Sequence, residues 1–154
     1  MDKALATIQF QRYIVEKIDF RLNPSYSSQV ENPEIDLDIS FNHKLAVDTE
    51  ENFAQLTLSC EISKDYLDSN KPFFLAVEMV GLFSYDTILD GDKRKQLLLR
   101  NGSAILFPYL RAIISMITSI SSIPALVLPT MNIAKLLIDN NEENGTTNEE
   151  LPTK

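Results

Sequence analysis

Tryptophan is absent, cysteine and histidine occur once each, and glycine only four times in 154 residues. Each scarcity removes a class of function. The single Cys60 cannot close a disulfide within the chain, and no paired Cys or Cys/His spacing of the zinc-holding kind occurs. One imidazole, His43, and one thiol leave no base, orienting group and nucleophile to assemble into a triad. Neither a GxxxxGKT-type phosphate loop nor a GxGxxG turn is present, so nothing points to nucleotide chemistry. Positive charge is also short: 14 Lys and Arg stand against 22 Asp and Glu, a net charge of −8. A nucleic-acid backbone is therefore not an expected partner. The composition favours no enzyme and calls for no cofactor or metal.

What the chain has in abundance is apolar surface. From Ser103 to Ala134 it carries one charged side chain, Arg111. The uncharged stretch from Ala112 to Thr130 meets the minimum length of a spanning helix, but Pro124, Pro129 and six Ser or Thr side chains interrupt it. Burial between copies of the chain explains these residues better than lipid does. Arg111, Ser115, Thr118 or Ser119, and Ser122 recur at steps of three or four, a thin polar stripe on an otherwise apolar helix. The expected role of that stripe is a polar seam across a subunit interface, with Met79, Phe107, Tyr109, Arg111, Ser115 and Thr118 as the candidate interface residues. The opening MDKALATIQFQRYIVEK does not resemble a secretion signal, so a cytoplasmic, reducing address is expected.

Ahead of the helix the period is two. Between Ala4 and Leu22, Ile8, Phe10, Ile14, Ile18 and Phe20 alternate with polar residues, a long strand whose greasy face is interrupted at Arg12 and Glu16, which suggests a bend or an edge. A connection rich in Ser and Asn follows between Pro24 and Pro33. Ile35, Leu37, Ile39 and Phe41 form the clearest two-faced strand. Ala54 to Ile62 form a third, and PFFLAVEMVGLFSY a fourth that is apolar on both faces apart from Glu78. Asp90 to Arg100 reads as a helix N-capped by Asp92 and stopped by Asn101 and Gly102. Ser103 to Ser122 is the apolar helix, ALVLP an extended linker, and Met131 to Ile138 a short last helix. The fold class is thus α+β: a four-stranded antiparallel sheet with helices packed on one face. One domain is expected over 1–138, and the acidic segment 139–154 reads as a disordered tail.

Isolated candidates for chemistry have simpler readings. His43 falls in a polar turn after the second strand, Cys60 on the apolar side of the third as an inert thiol, and Asp36 and Asp38 on a solvated strand face. Asp90, Gly91 and Asp92 lack the remaining ligands of a calcium loop.

The segment ILFPYLRAIISMITSISSIPALVLPTMN resembles the SecB export chaperone family, and FQRYIVEKIDF, NPEIDLDI and FFLAVEMVGLFS are similar to its first, second and fourth strands. The resemblance implies a long crossover after the first strand and a homotetramer built as a dimer of dimers. It also implies an ATP-independent holdase that keeps unfolded preproteins in apolar grooves for the motor SecA. One groove wall would be Val30, Ile35, Leu37 and Ile39; the other Ile123, Leu126, Leu128, Met131 and Ile133. Two departures stand out. Positions aligned with the family's acidic motor-docking residues hold Lys17, Arg21 and Ala76, which speaks against SecA as partner; some relatives instead protect an antitoxin. Glu31 stands where an aromatic is expected before the NPE motif.

Overall fold

The computed structural model describes residues 7–27, 36–86, 90–121, 123–144 and 149–150. Four antiparallel strands, β1 (Ile8–Leu22), β2 (Ile39–Asp48), β3 (Phe53–Ile62) and β4 (Phe73–Tyr85), are followed by two helices, α1 (Gly91–Ile120) and α2 (Ile133–Asn144), and a two-residue strand β5 (Glu149–Glu150). The sheet order is β1-β4-β3-β2-β5. Because β4 and β3 separate β1 from β2, the chain crosses the sheet between Leu22 and Ile39, as the resemblance implied.

One face of the sheet is apolar along its two central strands. Leu56, Leu58, Cys60 and Ile62 of β3 stand opposite Gly81, Met79, Val77 and Leu75 of β4, and all but glycine among these are at most 1% exposed. Helix α1 lies on this face and contributes Leu98, Leu106, Leu110 and Ile114, none of which is exposed. The helix is long and apolar enough to cross a membrane by length and composition, yet one side of it is the lid of the core.

Helix α1 does not stop at Asn101 and Gly102. It runs unbroken for 30 residues from an N-cap at Asp90, not Asp92, whose carboxylate accepts the Lys93 N–H at 3.0 Å. Gly102 sits within it because a side chain would not fit: a Cβ there would lie 2.8 Å from Leu56 Cδ2. Gly81 mirrors it from the sheet, where a Cβ would meet Leu106 at 2.7 Å. The two glycines let helix and sheet approach closely. Gly102→Val is therefore expected to destabilise the protein by about 1–3 kcal/mol through overpacking, despite the gain in helix propensity; a thermal melt that is unchanged or raised would contradict this. Pro108 falls in mid-helix on an exposed face.

Strand β1 bends, as Arg12 and Glu16 suggested, through two bulges where the register shifts between Phe10 and Arg12 and between Val15 and Lys17. Each extra residue flips the alternation. The α1-facing set is therefore Ile8 and Phe10, then Tyr13 and Val15, then Ile18, Phe20 and Leu22, while Ile14 turns to the other face opposite Val80. Phe10 and Tyr13 pack on Tyr109 with ring centroids 6.0 and 4.6 Å apart.

Strand β2 begins at Ile39 and extends to Asp48, so His43 lies within it and not in a turn. It stands opposite Leu58 on the α1-facing side, where Phe41, Leu45 and Val47 continue the alternation. Helix α2 runs to Asn144, beyond the tail boundary expected at residue 139, and β5 pairs in parallel with Ala46 and Val47 of β2.

Candidate functional site

After α1, the chain turns back along the helix in extended form from Ile123 to Asn132, and the helix's polar stripe fastens it there. The Arg111 Nε–H donates to the Leu128 carbonyl at 2.8 Å, and the Ser115 hydroxyl to the Leu126 carbonyl at 2.9 Å. Thr118 Oγ1, fully buried, accepts the Leu126 N–H at 2.8 Å and donates to the Ile114 carbonyl at 2.9 Å. An extended linker has no ladder to satisfy its backbone, so these side chains supply the partners. The stripe expected as a seam between subunits is thus engaged within the protomer.

The other interface candidates divide. Met79 is fully buried in the protomer's own core, and Phe107 nearly so. Phe107 links two elements: its ring meets Phe41 of β2 edge-on at 5.9 Å, and the Arg111 guanidinium lies 5.9 Å above it. Tyr109 is exposed, next to β1. Farther along α1, Met116 and Ile120 also face outward, a continuation that the search for a polar stripe passed over.

The candidate groove walls are only partly where the sequence put them. Leu128 and Ile133 belong to the core, at 0% and 2% exposure, because the linker presses them under the helices. Ile123, Leu126 and Met131 are half-buried against that core, as is Leu37, and Ile39 is exposed at the start of β2. Val30 and Ile35 lie outside the described residues. The sequence reading missed Val127, 67% exposed, and Leu136 and Ile138 on the outer side of α2, at 37% and 42%. Val127 was findable: an extended segment alternates, so seating Leu126 and Leu128 inward sends the residue between them outward.

Of these apolar side chains, Met131, Ile133 and Ile138 line two clefts between α1 and the linker and α2. One, of about 370 Å³, is lined by Phe107, Pro108 and Arg111 on one side and by Thr130 and Met131 on the other. The second, of about 420 Å³, lies between Gln96, Leu99 and Arg100 of α1 and Lys135 and Ile138 of α2. Arg100, Asn132 and Ala134 line both, so they form one groove. Its walls mix apolar side chains with the amides of Gln96, Asn101 and Asn132 and the cations Arg100, Arg111 and Lys135.

Neither Cys60 nor His43 lines it. Cys60 is buried on β3, and burial pushes its thiol pKa up to about 12, with Glu61 adding to the effect. It should resist a thiol reagent at pH 8 in the native protein and react fully once unfolded; rapid native labelling would contradict the packing of β3. His43, half-buried, has its pKa lowered by burial. Among the described residues no three His, Cys, Asp or Glu side chains are grouped to hold a metal.

On the opposite face of the sheet, Lys17, Asp19 and Arg21 of β1 stand across from Glu78, Ala76 and Phe74 of β4. Arg21 is paired with Asp19 by two hydrogen bonds of 2.9 and 3.0 Å, and Ala76 is buried. This face is of mixed charge.

Residues 2–144 match the family described as preprotein translocase subunit SecB. The chain belongs to the SecB family. An uncharacterised protein of Methanocaldococcus jannaschii is 34% identical over 149 residues, covering 93% of this chain and 92% of that one. The protein-export protein SecB of Alcanivorax borkumensis is 25% identical over 137 residues, covering 88% and 86%. A SecB-like chaperone of Mycobacterium tuberculosis, solved with a peptide from the HigA1 antitoxin, has the same fold at 15% identity. Its TM-score is 0.64, and the match covers 84% of this chain and 91% of that chain. Family and fold together support a chaperone function, on an α+β scaffold with a four-stranded antiparallel sheet and two helices.

Proposed function

We propose that this SecB-family chain is an ATP-independent holdase that captures nonnative polypeptides on the groove between α1 and the linker and α2. The observation that carries the reading is the exposure of Ile138 in the lining of that groove, with Val127 and Leu136 also exposed on the linker and α2. In a chain with net charge −8, large apolar side chains left in water at a cleft mark a binding surface. Binding by apolar area, roughly 25 cal/mol per Å² removed from water, requires no sequence code in the client. Folded proteins hide the matching segments, so the unfolded state is selected by mass action. The working particle is a cytoplasmic homotetramer, a dimer of dimers in which Tyr109, Met116 and Ile120 of α1 meet another copy, and repetition of the groove raises avidity.

Keeping preproteins competent for export is the first service we assign. A second, protection of an antitoxin or another client without SecA, is favoured by the mixed charge of Lys17, Asp19 and Arg21 on the open sheet face. The M. tuberculosis relative was solved with an antitoxin peptide, which is compatible with it. The purified protein is expected to suppress aggregation of a denatured test protein without ATP; failure at molar excess would overturn the holdase reading. Calorimetry with the C-terminal segment of SecA is expected to register weak binding, and a tight complex would restore plain export.

A further inference from the structure

Strand β2 is an edge of the four-stranded sheet, and the chain's own C-terminal segment meets it twice. The Asn140 side chain donates from Nδ2 to the Phe41 carbonyl at 3.3 Å. Farther on, Glu149 and Glu150 pair with Ala46 and Val47 as a parallel strand. Both chains advance in the same direction, 140 to 150 along 41 to 47. Among the described residues, β5 covers only two of the ten positions of β2.

A sheet edge presents backbone N–H and C=O groups that template pairing with any extended chain. A two-residue parallel ladder is a weak occupant of such an edge. Apolar side chains flank it. Ile39 is exposed at the start of β2, and Leu136 lies one helical turn before Asn140 on the same face of α2. The edge therefore offers what an extended nonnative polypeptide needs: main-chain partners, with apolar contacts alongside for alternate side chains.

We infer that the outer edge of β2 is a strand-addition site for an extended client, and that β5 is a built-in placeholder which the client displaces. The inference rests on the holdase reading above and adds where and how the client's backbone is held. It also assigns the C-terminal segment a regulatory task, keeping the edge from pairing indiscriminately while clients are absent. A placeholder that occupies the edge about nine-tenths of the time weakens client binding about tenfold, because only the open fraction is competent.

The test is Glu149→Pro/Glu150→Pro in the full-length chain, since proline has no N–H and cannot extend the ladder. Two readouts are taken: hydrogen exchange of the segment 44–48, and affinity for reduced, carboxymethylated lactalbumin, a chain that stays unfolded. In the variant we expect faster exchange at 44–48 without client, protection restored by client, and affinity raised about tenfold by removal of the competitor. Unchanged exchange would overturn the placeholder. Faster exchange with unchanged affinity, or without protection by client, would overturn the client site alone. Self-association of the variant by sedimentation, in place of tighter client binding, would hand the edge to a second copy and overturn the inference. Absence of binding by both proteins would overturn the holdase reading, and the client site with it.

Discussion

Ile138→Asp combined with Val127→Asp is expected to abolish most client capture while leaving the fold intact. Both side chains are exposed in the free protomer, Val127 at 67% and Ile138 at 42%, so charging them removes little packing. Full burial of a Val or Ile side chain is worth about 1.5–3 kcal/mol. Partial burial under a client would forfeit about 1 kcal/mol per site, and a buried carboxylate adds a desolvation penalty. Affinity should fall by at least about tenfold, each 1.4 kcal/mol being a factor of ten. Leu67→Asp serves as control, because Leu67 is exposed at 58% in the connection between β3 and β4, on neither the linker nor α2; it should leave capture unchanged. Leu37→Asp is less decisive, since Leu37 packs on the core and its loss can act through stability. Equal capture by the double variant and the unmodified protein, measured by fluorescence anisotropy of a labelled unfolded chain, would show that the groove is not the binding surface.

Thr118→Val is expected to loosen the linker and lower stability by about 1–3 kcal/mol, the cost of leaving a shielded backbone donor without its acceptor. The substitution keeps the shape of the side chain and removes only the oxygen that receives the Leu126 N–H. For a domain of this size that is a fall in Tm of roughly 2–4 °C for each kcal/mol. Adding Arg111→Met removes the bond to the Leu128 carbonyl and the cation above Phe107, so the pair should act on one segment and not add simply. Hydrogen exchange decides the matter: the amide of Leu126 should lose protection in both variants. If that amide stays protected while the oligomer dissociates, the stripe joins subunits, as its spacing first suggested, and the intramolecular clamp is wrong.

Much of the architecture was legible in advance, for reasons that separate local from tertiary physics. The alternation at Ala54–Ile62 reports a strand with one dry face because side chains two apart share a face whatever lies above them. The interruptions at Arg12 and Glu16 marked the bulges of β1, since a polar residue on a greasy face is tolerated where the alternation slips. Gly102 misled because glycine has two uses: next to Asn101 it reads as a helix stop, whereas the space left by Leu56 requires it inside a continuous helix. His43 misled similarly, since a polar stretch can be a strand when a neighbour supplies its partners.

The site followed the same division. Periodicity located the polar stripe of α1 but not its partner, because Arg111, Ser115 and Thr118 bond to carbonyls and an amide brought back by the linker. Leu126, Val127 and Leu128 are nearly equal in hydrophobicity, and only the linker's path over α1 seats two of them inward and leaves the third in water.

By itself the sequence determined the α+β class, the two-faced strands, the apolar helix and the SecB-like segments around ILFPY. All of these are properties of short stretches, set by side-chain period and solvation. The tertiary structure alone decided which apolar residues remain exposed, what the polar stripe holds, and what covers the edge of β2. Burial is a relation between segments far apart in the chain, and no single segment carries it.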